Sequence, residues 1–391
     1  MDRRTFVRAG CIAPLAAAGS RLWAAPGAAT PRLLFVFLRG AYDCNSLLVA
    51  TRSSFYHEVR PNIAIARDAV LGLDTDWGLH PALQGSLWPL VQRGEVAFVP
   101  FAGIDDLSRS HFQTQDGIEL GQPLGRTRDF NSGFLNRLAQ TIGAAAQPIA
   151  FTEQLPMAFR GGLTVPNVSV RGTARPVLDT RQSALVSQMY RDTRFAARVA
   201  EGFEVREEIA RTLIGEPEGV SRGAITARNF ELEARRIARL MQERYALGFV
   251  DIGGWDTHVG QGAVTGYLAA RLEELARGLA AFAEASGEGW RNTVVVVLSE
   301  FGRTFRENGN RGTDHGHGSV YWVLGGGVRG GRVVGEQVAL TAANLFQNRD
   351  MPVLNEYRAL LGGLLGRVYG LSAAQLETVF PGAAARDLGL V

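Results

Sequence analysis

Residues 293–318 read TVVVVLSEFGRTFRENGNRGTDHGHG, in which an apolar run leads directly into an acidic residue and a glycine-rich loop. The run Thr293–Leu298 predicts a strand that is buried on both faces. Glu300 follows the run, and the loop contains Asp-His-Gly-His at residues 314–317. Carboxylate and imidazole groups this close together are typical ligands of divalent metal ions. The stretch therefore predicts a metal site at the end of a buried strand.

Three further apolar runs predict buried strands. They are Leu33–Leu38, Val96–Phe101 and Leu247–Ile252. Helical patterns separate the runs, and buried strands that alternate with helices predict a largely parallel sheet with helices on both faces. In such α/β sheets, ligands bind at the carboxyl ends of the strands. Polar side chains follow each predicted strand, so we expect them to form one site at that edge.

Helical patterns fill most of the remaining chain. Helices are predicted from Pro81 to about Val91 and over His111–Leu120, Phe134–Ala146, Leu268–Ala285 and Asn355–Tyr369. Residues 182–242 are also mostly helical in pattern. The sequence has no internal repeat and no linker-like segment. We therefore expect residues 25–391 to form a single domain with a helical insertion around residues 180–245.

Residues 1–24 have the features of an export signal. Asp2–Arg8 reads DRRTFVR and matches the twin-arginine pattern, Cys11–Ala18 is a short apolar region, and Leu22–Ala24 is a plausible cleavage site. A chance Arg-Arg pair ahead of an amphipathic helix is the alternative, but the order of the three regions favours export. The apolar region is too short to span a bilayer. We expect a periplasmic or secreted protein that the twin-arginine translocase carries.

Charge and cysteine content exclude some classes of function. The formal net charge is +3, but the excess of arginine lies within residues 1–24, so the remaining chain is close to neutral. No basic patch interleaved with aromatic residues is visible, and we expect no nucleic-acid partner. Beyond residue 24 the chain has a single cysteine, Cys44, so no intramolecular disulfide is expected.

Seven residues are candidate ligands of a divalent metal, and all lie near or after a predicted strand end. They are Asp43, Asp256, His258, Glu300, Asp314, His315 and His317. Histidines near carboxylates favour zinc, or a mixture of Zn, Mg, Mn and Ca, with one or two ions. A lone histidine is more often a hydrogen-bonded structural group. That is our interpretation of His57, and we expect His80 to cap the helix that begins at Pro81 or to support the site from behind its ligands.

The segment around Ser110 supplies candidate catalytic groups. Ser110 is the candidate nucleophile, because a helix N-terminus would lower its pKa and hold an oxyanion. A plain helix-capping serine is an equally good interpretation. His111 belongs to the same candidate set. Arg109 and Arg303 are placed to grip a charged substrate oxygen through two hydrogen bonds, unless either is paired with a structural carboxylate.

Six motifs together resemble a bacterial family called domain of unknown function 1501, which is grouped with the alkaline phosphatase and sulfatase-like superfamily. The motifs are FLRGAYD, RSHF, GGWDTH, SEFGRT, GTDHGHG and the C-terminal VFPG. The resemblance covers nearly all of the chain after the export signal. It implies a three-layer α/β/α fold of the alkaline phosphatase type. It also implies an acidic residue after the first strand, matched by Asp43, and a nucleophile at a helix start, matched in order by Ser110.

The chain departs from the superfamily pattern at Glu300-Phe301, where the superfamily has an Asp-His pair. A histidine ligand of the superfamily pattern is therefore missing at Phe301 unless His315 or His317 replaces it. Two functions are open. The first is an exported metal-dependent hydrolase of small or polymeric phosphate or sulfate esters. The second is a non-catalytic, secreted metal-binding or envelope-associated protein on the same fold.

Overall fold

The computed structural model describes residues 30–170, 180–212 and 230–391. The predicted export signal and part of the predicted helical insertion lie outside the described residues. Among the helices that the structure does describe, none combines the length and the apolar character needed to cross a membrane.

An eight-stranded sheet forms the centre of the fold, and a small three-stranded antiparallel sheet lies beside it. In chain order the strands are β1 (Arg32–Leu38), β2 (Leu48–Ala50), β3 (Leu71–Gly72), β4 (Trp77–Leu79), β5 (Val96–Gly103), β6 (Pro148–Ala150), β7 (Leu247–Ile252), β8 (Thr293–Ser299), β9 (Ser319–Leu324), β10 (Arg332–Val333) and β11 (Asn355–Glu356). The order across the main sheet is β10-β5-β9-β8-β1-β7-β6, with β11 paired to β5. The small sheet has the order β2-β4-β3.

The main sheet is mostly parallel, as the sequence predicts. Strand β1 pairs in parallel with β7 and β8, and Val36 lies opposite both Val250 and Val297. Strand β9 is the exception, because it runs antiparallel to both β5 and β8. Two antiparallel steps leave β5 and β8 pointing in the same direction. The carboxyl ends of β1, β5, β7 and β8 therefore meet at one edge, which is also where β9 begins.

Helices cover both faces of the sheet. The α-helices of the described residues are α1 (Cys44–Leu47), α2 (Ser54–Glu58), α3 (Trp88–Gln92), α4 (His111–Leu120), α5 (Phe134–Ile142), α6 (Thr180–Tyr190), α7 (Ala196–Thr212), α8 (Phe230–Glu243), α9 (Tyr267–Ala285), α10 (Tyr357–Tyr369) and α11 (Ala373–Val379). Alternate residues of a strand point to opposite faces. Leu34 and Val36 of β1 accordingly pack in one core with α8 and α9, whereas Leu33 and Phe35 pack in a second core with α4, α5, α10 and α11. The fold is thus a three-layer α/β/α arrangement, as expected.

Three predicted helices differ from the observed ones. The helix expected over Phe134–Ala146 is α-helical only to Ile142 and is followed by a 3₁₀ turn at Gly143–Ala146. The helix expected from Pro81 to Val91 is divided into a 3₁₀ turn at Pro81–Leu83 and the short helix α3. Proline lacks an amide hydrogen, so Pro89 is accommodated in the first turn of α3 and not inside a longer helix. The helix expected from Asn355 begins at Tyr357, because β11 pairs with β5 ahead of it. By contrast, α4 has the predicted bounds and ends at Gly121, which adopts the left-handed conformation common at helix ends.

Candidate metal centre

The segments that follow β5, β7 and β8 meet at the carboxyl edge of the main sheet. His111 Nε2 lies 3.0 Å from His315 Nε2 and 3.6 Å from Asp256 Oδ2. His315 Nε2 is 3.4 Å from Asp256 Oδ1. Within residues 30–170, 180–212 and 230–391, these three residues form the group whose ligand atoms all lie within 4.8 Å of one another, close enough to hold a metal ion.

His258 adjoins this group. Its Nε2 atom lies 3.1 Å from His315 Nε2 and 3.0 Å from Asp256 Oδ1. We call the four residues His111, His258, His315 and Asp256 the His–Asp cluster. The cluster combines three imidazoles with one carboxylate, which is a donor set typical of zinc and related transition metals.

Every imidazole of the His–Asp cluster is oriented through its other ring nitrogen. His111 Nδ1 is 2.8 Å from Glu300 Oε1, His258 Nδ1 is 3.0 Å from Asp314 Oδ1, and His315 Nδ1 is 2.9 Å from the backbone carbonyl of Arg109. If each Nδ1–H donates to its acceptor, each Nε2 presents a lone pair to the cluster. Neighbouring lone pairs only 3.0 Å apart repel unless a cation lies between them. The arrangement therefore fits a bound metal ion.

Glu300 supports His111 from inside the protein. Its side chain is fully buried, and it accepts hydrogen bonds from the Gly40 amide at 2.9 Å, Gln115 Nε2 at 2.8 Å and Ser299 Oγ at 2.8 Å. Burial acts to raise the pKa of Glu300, but the hydrogen bonds from His111, Gln115 and Ser299 outweigh burial and hold that pKa below its ordinary value. Glu300 is therefore a carboxylate at neutral pH.

The imidazoles differ in their affinity for a proton. The hydrogen bond to Glu300 is the largest effect on His111 and raises its pKa. Burial, together with the charges of His111 and Arg303, lowers the pKa of His315. Metal ions bind neutral imidazole, so the lowered pKa of His315 favours metal binding over protonation at this residue.

Two glycines let the loop at residues 302–318 pack directly against neighbouring backbone. A Cβ atom on Gly312 would lie 2.4 Å from the carbonyl of His258, and one on Gly316 would lie 2.4 Å from the carbonyl carbon of Arg303. Any side chain at these two positions would displace the loop. The glycines thus permit the close approach that brings His315 to His258.

Asp43 and His317 lie apart from the His–Asp cluster. Asp43 is fully buried, and its oxygens accept hydrogen bonds from Arg60 at 2.7 and 3.0 Å, with further bonds from Ser46 and Gln261. His317 Nε2 lies 3.3 Å from Asp105 Oδ1, and its ring centroid is 5.0 Å from that of Phe346. Of the two histidines in the loop, His315 is the one that faces His111.

Arg303 and Arg109 are engaged by protein acceptors, which is the alternative that the sequence left open. Arg303 is fully buried and donates to Asp256 Oδ1 at 2.5 Å and to the side-chain oxygen and backbone carbonyl of Thr313. Arg109 donates to Asp350 Oδ2 at 2.7 Å and to Gln347. Arg303 thus orients the carboxylate of the cluster.

Ser110 lies at the N-terminus of α4, between the two residues that reach His315. Its backbone is extended, and its side chain makes no capping hydrogen bond to the helix. Arg109 holds His315 Nδ1 through its carbonyl, and His111 contacts His315 Nε2. Ser110 is half-buried, and the capping bond that was the alternative interpretation is not formed. His80 does cap its turn as predicted, because its Nδ1 accepts from the Ala82 amide.

Phe301 occupies the position at which the resemblance implies a histidine. Its ring is buried, and its centroid lies 5.0 Å from that of His111 and 5.4 Å from that of His315. Phe301 therefore packs beside two imidazoles of the His–Asp cluster.

Gln115 and Arg39 are parts of the site that the sequence prediction missed. Gln115 donates to Glu300, and Arg39 donates to Gln115 Oε1 at 2.9 Å. Gln115 follows His111 by four residues in a predicted helix, so both lie on one helix face. That spacing was the available signal. Arg39 offered no comparable signal, because its partners are distant in the sequence.

A family model for "Protein of unknown function (DUF1501)" matches residues 100–380. The chain belongs to this family. The resemblance inferred from the motifs is thereby confirmed. No curated protein sequence matches this DUF1501 member.

Several solved structures are similar to this DUF1501 chain at low identity. The crystal structure of Ps i-CgsB in complex with k-i-k-neocarrahexaose is 11% identical, covers 91% of this chain and 75% of its own, and has a TM-score of 0.40. A protein in the alkaline phosphatase superfamily from Vibrio parahaemolyticus is 10% identical, with 76% and 60% covered and a TM-score of 0.33. The lipoteichoic acid synthase LtaP from Listeria monocytogenes is 10% identical, with 93% and 76% covered and a TM-score of 0.39. Similarity at this level does not determine a function.

Proposed function

We propose that this protein is a metal-dependent hydrolase of phosphate or sulfate esters that acts after export. The observation that carries the proposal is the convergence of three imidazole Nε2 atoms and Asp256 at the carboxyl edge of the sheet. The side chains of Asp256 and His258 are 45% and 40% exposed. Structural zinc sites have all four coordination positions filled by protein ligands, whereas catalytic sites have three protein ligands and keep the fourth position for water or substrate. Three residues, His111, Asp256 and His315, have ligand atoms close enough to hold an ion, and a half-exposed cluster leaves access for a fourth, exchangeable ligand, which favours catalysis.

The residues of the cluster and its neighbours have distinct roles in this proposal. His111, His315 and Asp256 hold the ion, with His258 beside them, and Arg303 keeps Asp256 in place. A bound divalent ion would polarise an ester oxygen and offset the negative charge that develops on it. Ser110 is the proposed nucleophile. Its hydroxyl would lose its proton and form a bond to phosphorus or sulfur while the bond to the ester oxygen breaks, and the leaving oxygen would take up a proton to become an alcohol. Water would then hydrolyse the seryl ester, which releases phosphate or sulfate and restores the serine hydroxyl.

Export through the twin-arginine translocase belongs to the same proposal. It is supported by the pattern of residues 1–24. The substrate would then be an anionic ester, small or polymeric, that is present outside the cytoplasm. The metal would be zinc or a related divalent ion, since nitrogen donors predominate in the cluster.

A non-catalytic metal-binding protein is the second candidate. One observation favours it. Arg109 and Arg303 were predicted to bind a charged substrate oxygen, but their guanidinium groups are hydrogen-bonded within the protein. Both donate to protein acceptors. On this alternative the protein would bind one metal for structure or partner recognition, and Ser110 would have no chemical role.

Metal content and ester cleavage test the first proposal together. We expect purified protein to contain metal and to release p-nitrophenol from an aryl phosphate, an aryl phosphodiester or an aryl sulfate. Chelation should abolish the activity, and added zinc should restore it. His315→Ala should lose both metal and activity, whereas His317→Ala, from the same loop, should keep its metal. Activity that survives both chelation and His315→Ala would contradict the proposal.

Ser110→Ala separates the two candidates. Loss of all ester cleavage in this variant, with metal content unchanged, supports a seryl nucleophile. A wild-type protein that binds metal and cleaves none of the three ester classes supports the non-catalytic candidate.

A further inference from the structure

We propose that Glu300 is a positioning residue for His111, that Gln115 and Arg39 hold Glu300 in place, and that the centre takes one metal ion. This inference rests on the metal centre of the proposed function. It assigns Glu300 a place behind the ligands, although the sequence had suggested a ligand. It also fixes the number of ions, which the sequence left at one or two.

Both oxygens of Glu300 are already committed to protein donors. Oε1 accepts from Gly40, Gln115 and His111, and Oε2 lies 2.8 Å from Ser299 Oγ, whose single proton is shared between Oε2 and the Leu38 carbonyl. The side chain is fully buried. An ion bound to either oxygen would have to displace these donors inside the protein and leave them without partners, at a cost of about 1–3 kcal/mol for each buried group.

Asp43 is committed in the same way, whereas Asp314 is engaged through one oxygen and its side chain is 50% exposed. Asp43 is bound by Arg60, and Asp314 Oδ1 accepts from His258 Nδ1 at 3.0 Å and from Asn308 at 3.1 Å. Asp256 is the carboxylate that faces the imidazole Nε2 atoms. In the part of the chain that the structure describes, the His–Asp cluster, with His111, Asp256 and His315, is the one place where at least three His, Cys, Asp or Glu residues have ligand atoms within 4.8 Å of one another, so a second ion would lack a comparable set of ligands.

Gln115 and Arg39 determine how Glu300 is held. Arg39 donates to Asp251 at 2.6 Å and to Glu119 at 2.8 Å, and these two contacts fix its guanidinium. The same guanidinium donates to Gln115 Oε1, so the amide nitrogen of Gln115 must point to Glu300. Within the described residues, the side chains of Arg39 and Gln115 form no hydrogen bond with the cluster imidazoles, and both are joined to His111 through Glu300.

A carboxylate behind a metal-bound imidazole fixes the ring and strengthens it as a ligand. Removing such a partner commonly lowers metal affinity by about 10–100-fold. Glu300→Gln is a well-matched variant, because its amide oxygen can accept from His111 while its new amide group can donate to Ser299 Oγ. Ser299 Oγ can then donate to the Leu38 carbonyl, which lies 2.6 Å away.

The experiment measures zinc per chain and zinc affinity by chelator competition on the full folded chain. We expect one ion per wild-type chain. Glu300→Gln should still bind one ion, with affinity lowered by about 10–100-fold. Gln115→Leu should change affinity in the same direction by a smaller factor. Gln113→Leu, at an exposed position of the same helix, should leave the affinity unchanged.

The thermal midpoint of the metal-free proteins separates positioning from a general loss of structure. We expect metal-free Glu300→Gln to unfold close to the wild-type temperature despite its weaker zinc binding. Two ions per wild-type chain, with one lost in Glu300→Gln, would overturn this inference and leave the proposed function standing. Unchanged affinity in Glu300→Gln would likewise overturn it. A wild-type chain that binds no zinc would overturn both.

Discussion

Two buried carboxylates at the ends of neighbouring parallel strands serve different purposes in this protein. Asp43 follows β1 and Glu300 follows β8, and both side chains are fully buried. Asp43 is paired with Arg60, which is itself fully buried, so that pair is closed to the exterior. Glu300 is paired with His111, whose second nitrogen faces the half-exposed His–Asp cluster. Burial of a carboxylate at a strand end is therefore a weak indicator of function, and the identity of its partner is the stronger one.

Removing the partner of Asp43 should cause the largest effect. Arg60→Met leaves a buried carboxylate without its counter-charge, and breaking a buried ion pair in this way costs about 3–5 kcal/mol in the free energy of unfolding. Urea denaturation measures the loss. Zinc content is a second readout, because Arg60 also donates to the backbone carbonyls of Thr304 and Phe305 in the loop that carries His315.

Arg52→Met is the control for that variant. Arg52 is exposed and lies 3.7 Å from Asp76, and such surface pairs contribute about 0–1 kcal/mol. If Arg60→Met were no more destabilising than Arg52→Met, the buried Asp43–Arg60 pair would not have the stabilising role that we assign to it.

A smaller effect is expected in the pH dependence of stability. Burial acts to raise the pKa of Asp43, but the charge and hydrogen bonds of Arg60, with the hydrogen bonds of Gln261 and Ser46, together outweigh burial, so the folded-state pKa lies below the ordinary value of about 3.9. The unfolded chain therefore binds the proton first. The stabilisation is complete above about pH 4 and is lost as the pH falls through the folded-state pKa.

Thermal midpoints between pH 3 and pH 7 test this dependence. Without Arg60, burial still acts to raise the pKa of Asp43 and only the hydrogen bonds from Gln261 and Ser46 oppose it, so that pKa should be higher in Arg60→Met than in the wild type. The difference in stability between the two proteins should therefore narrow as the pH falls through the pKa of Asp43 in the variant, and narrow further as it falls through the lower pKa in the wild type. If the thermal midpoints of the two proteins changed equally with pH, protonation of Asp43 would not account for the difference in their stability.

The smallest expected signal comes from Cys44, which tests whether the Asp43 region is closed. Cys44 is buried, and burial raises the pKa of its thiol to about 12. At pH 8 only about one thiol in ten thousand would be ionised, and the thiolate is the reactive form. We expect iodoacetamide to leave Cys44 unmodified in the folded protein and to label it in urea, as read by mass spectrometry. Labelling of the folded protein at the rate seen in urea would show that the region opens.

The loop at residues 314–317 shows how far the sequence prediction reached at the site. The sequence identified both His315 and His317 as candidates and could not choose between them. In the structure His315 faces His111, whereas His317 lies beside Asp105 and Phe346. The choice depends on how the backbone turns at Gly316, which packs against Arg303. Contacts of this kind join residues that are distant in the chain, so local sequence patterns do not predict them.

The sheet was more predictable than the partners of its strand-end residues. Apolar runs such as Leu33–Leu38 and Thr293–Leu298 are strands at nearly the predicted bounds, because continuous burial requires continuous apolar sequence. The family was also predictable, because six separate sequence motifs all matched the same family. The commitment of Asp43 to Arg60 and of Glu300 to Gln115 was not predictable, because a charged residue in a sequence does not identify its counter-charge.

The sequence by itself determined the α/β class, the buried strands and the edge at which polar side chains gather. It did so because hydrophobic periodicity and strand direction are local properties of the chain. The tertiary structure alone decided which of those polar side chains face one another. Hydrogen bonds and ion pairs depend on separations of a few ångströms, and only the packed sheet, helices and loop set those separations. Asp256, His111, His258 and His315 thereby form the cluster, while Glu300 and Asp43 remain buried with partners of their own.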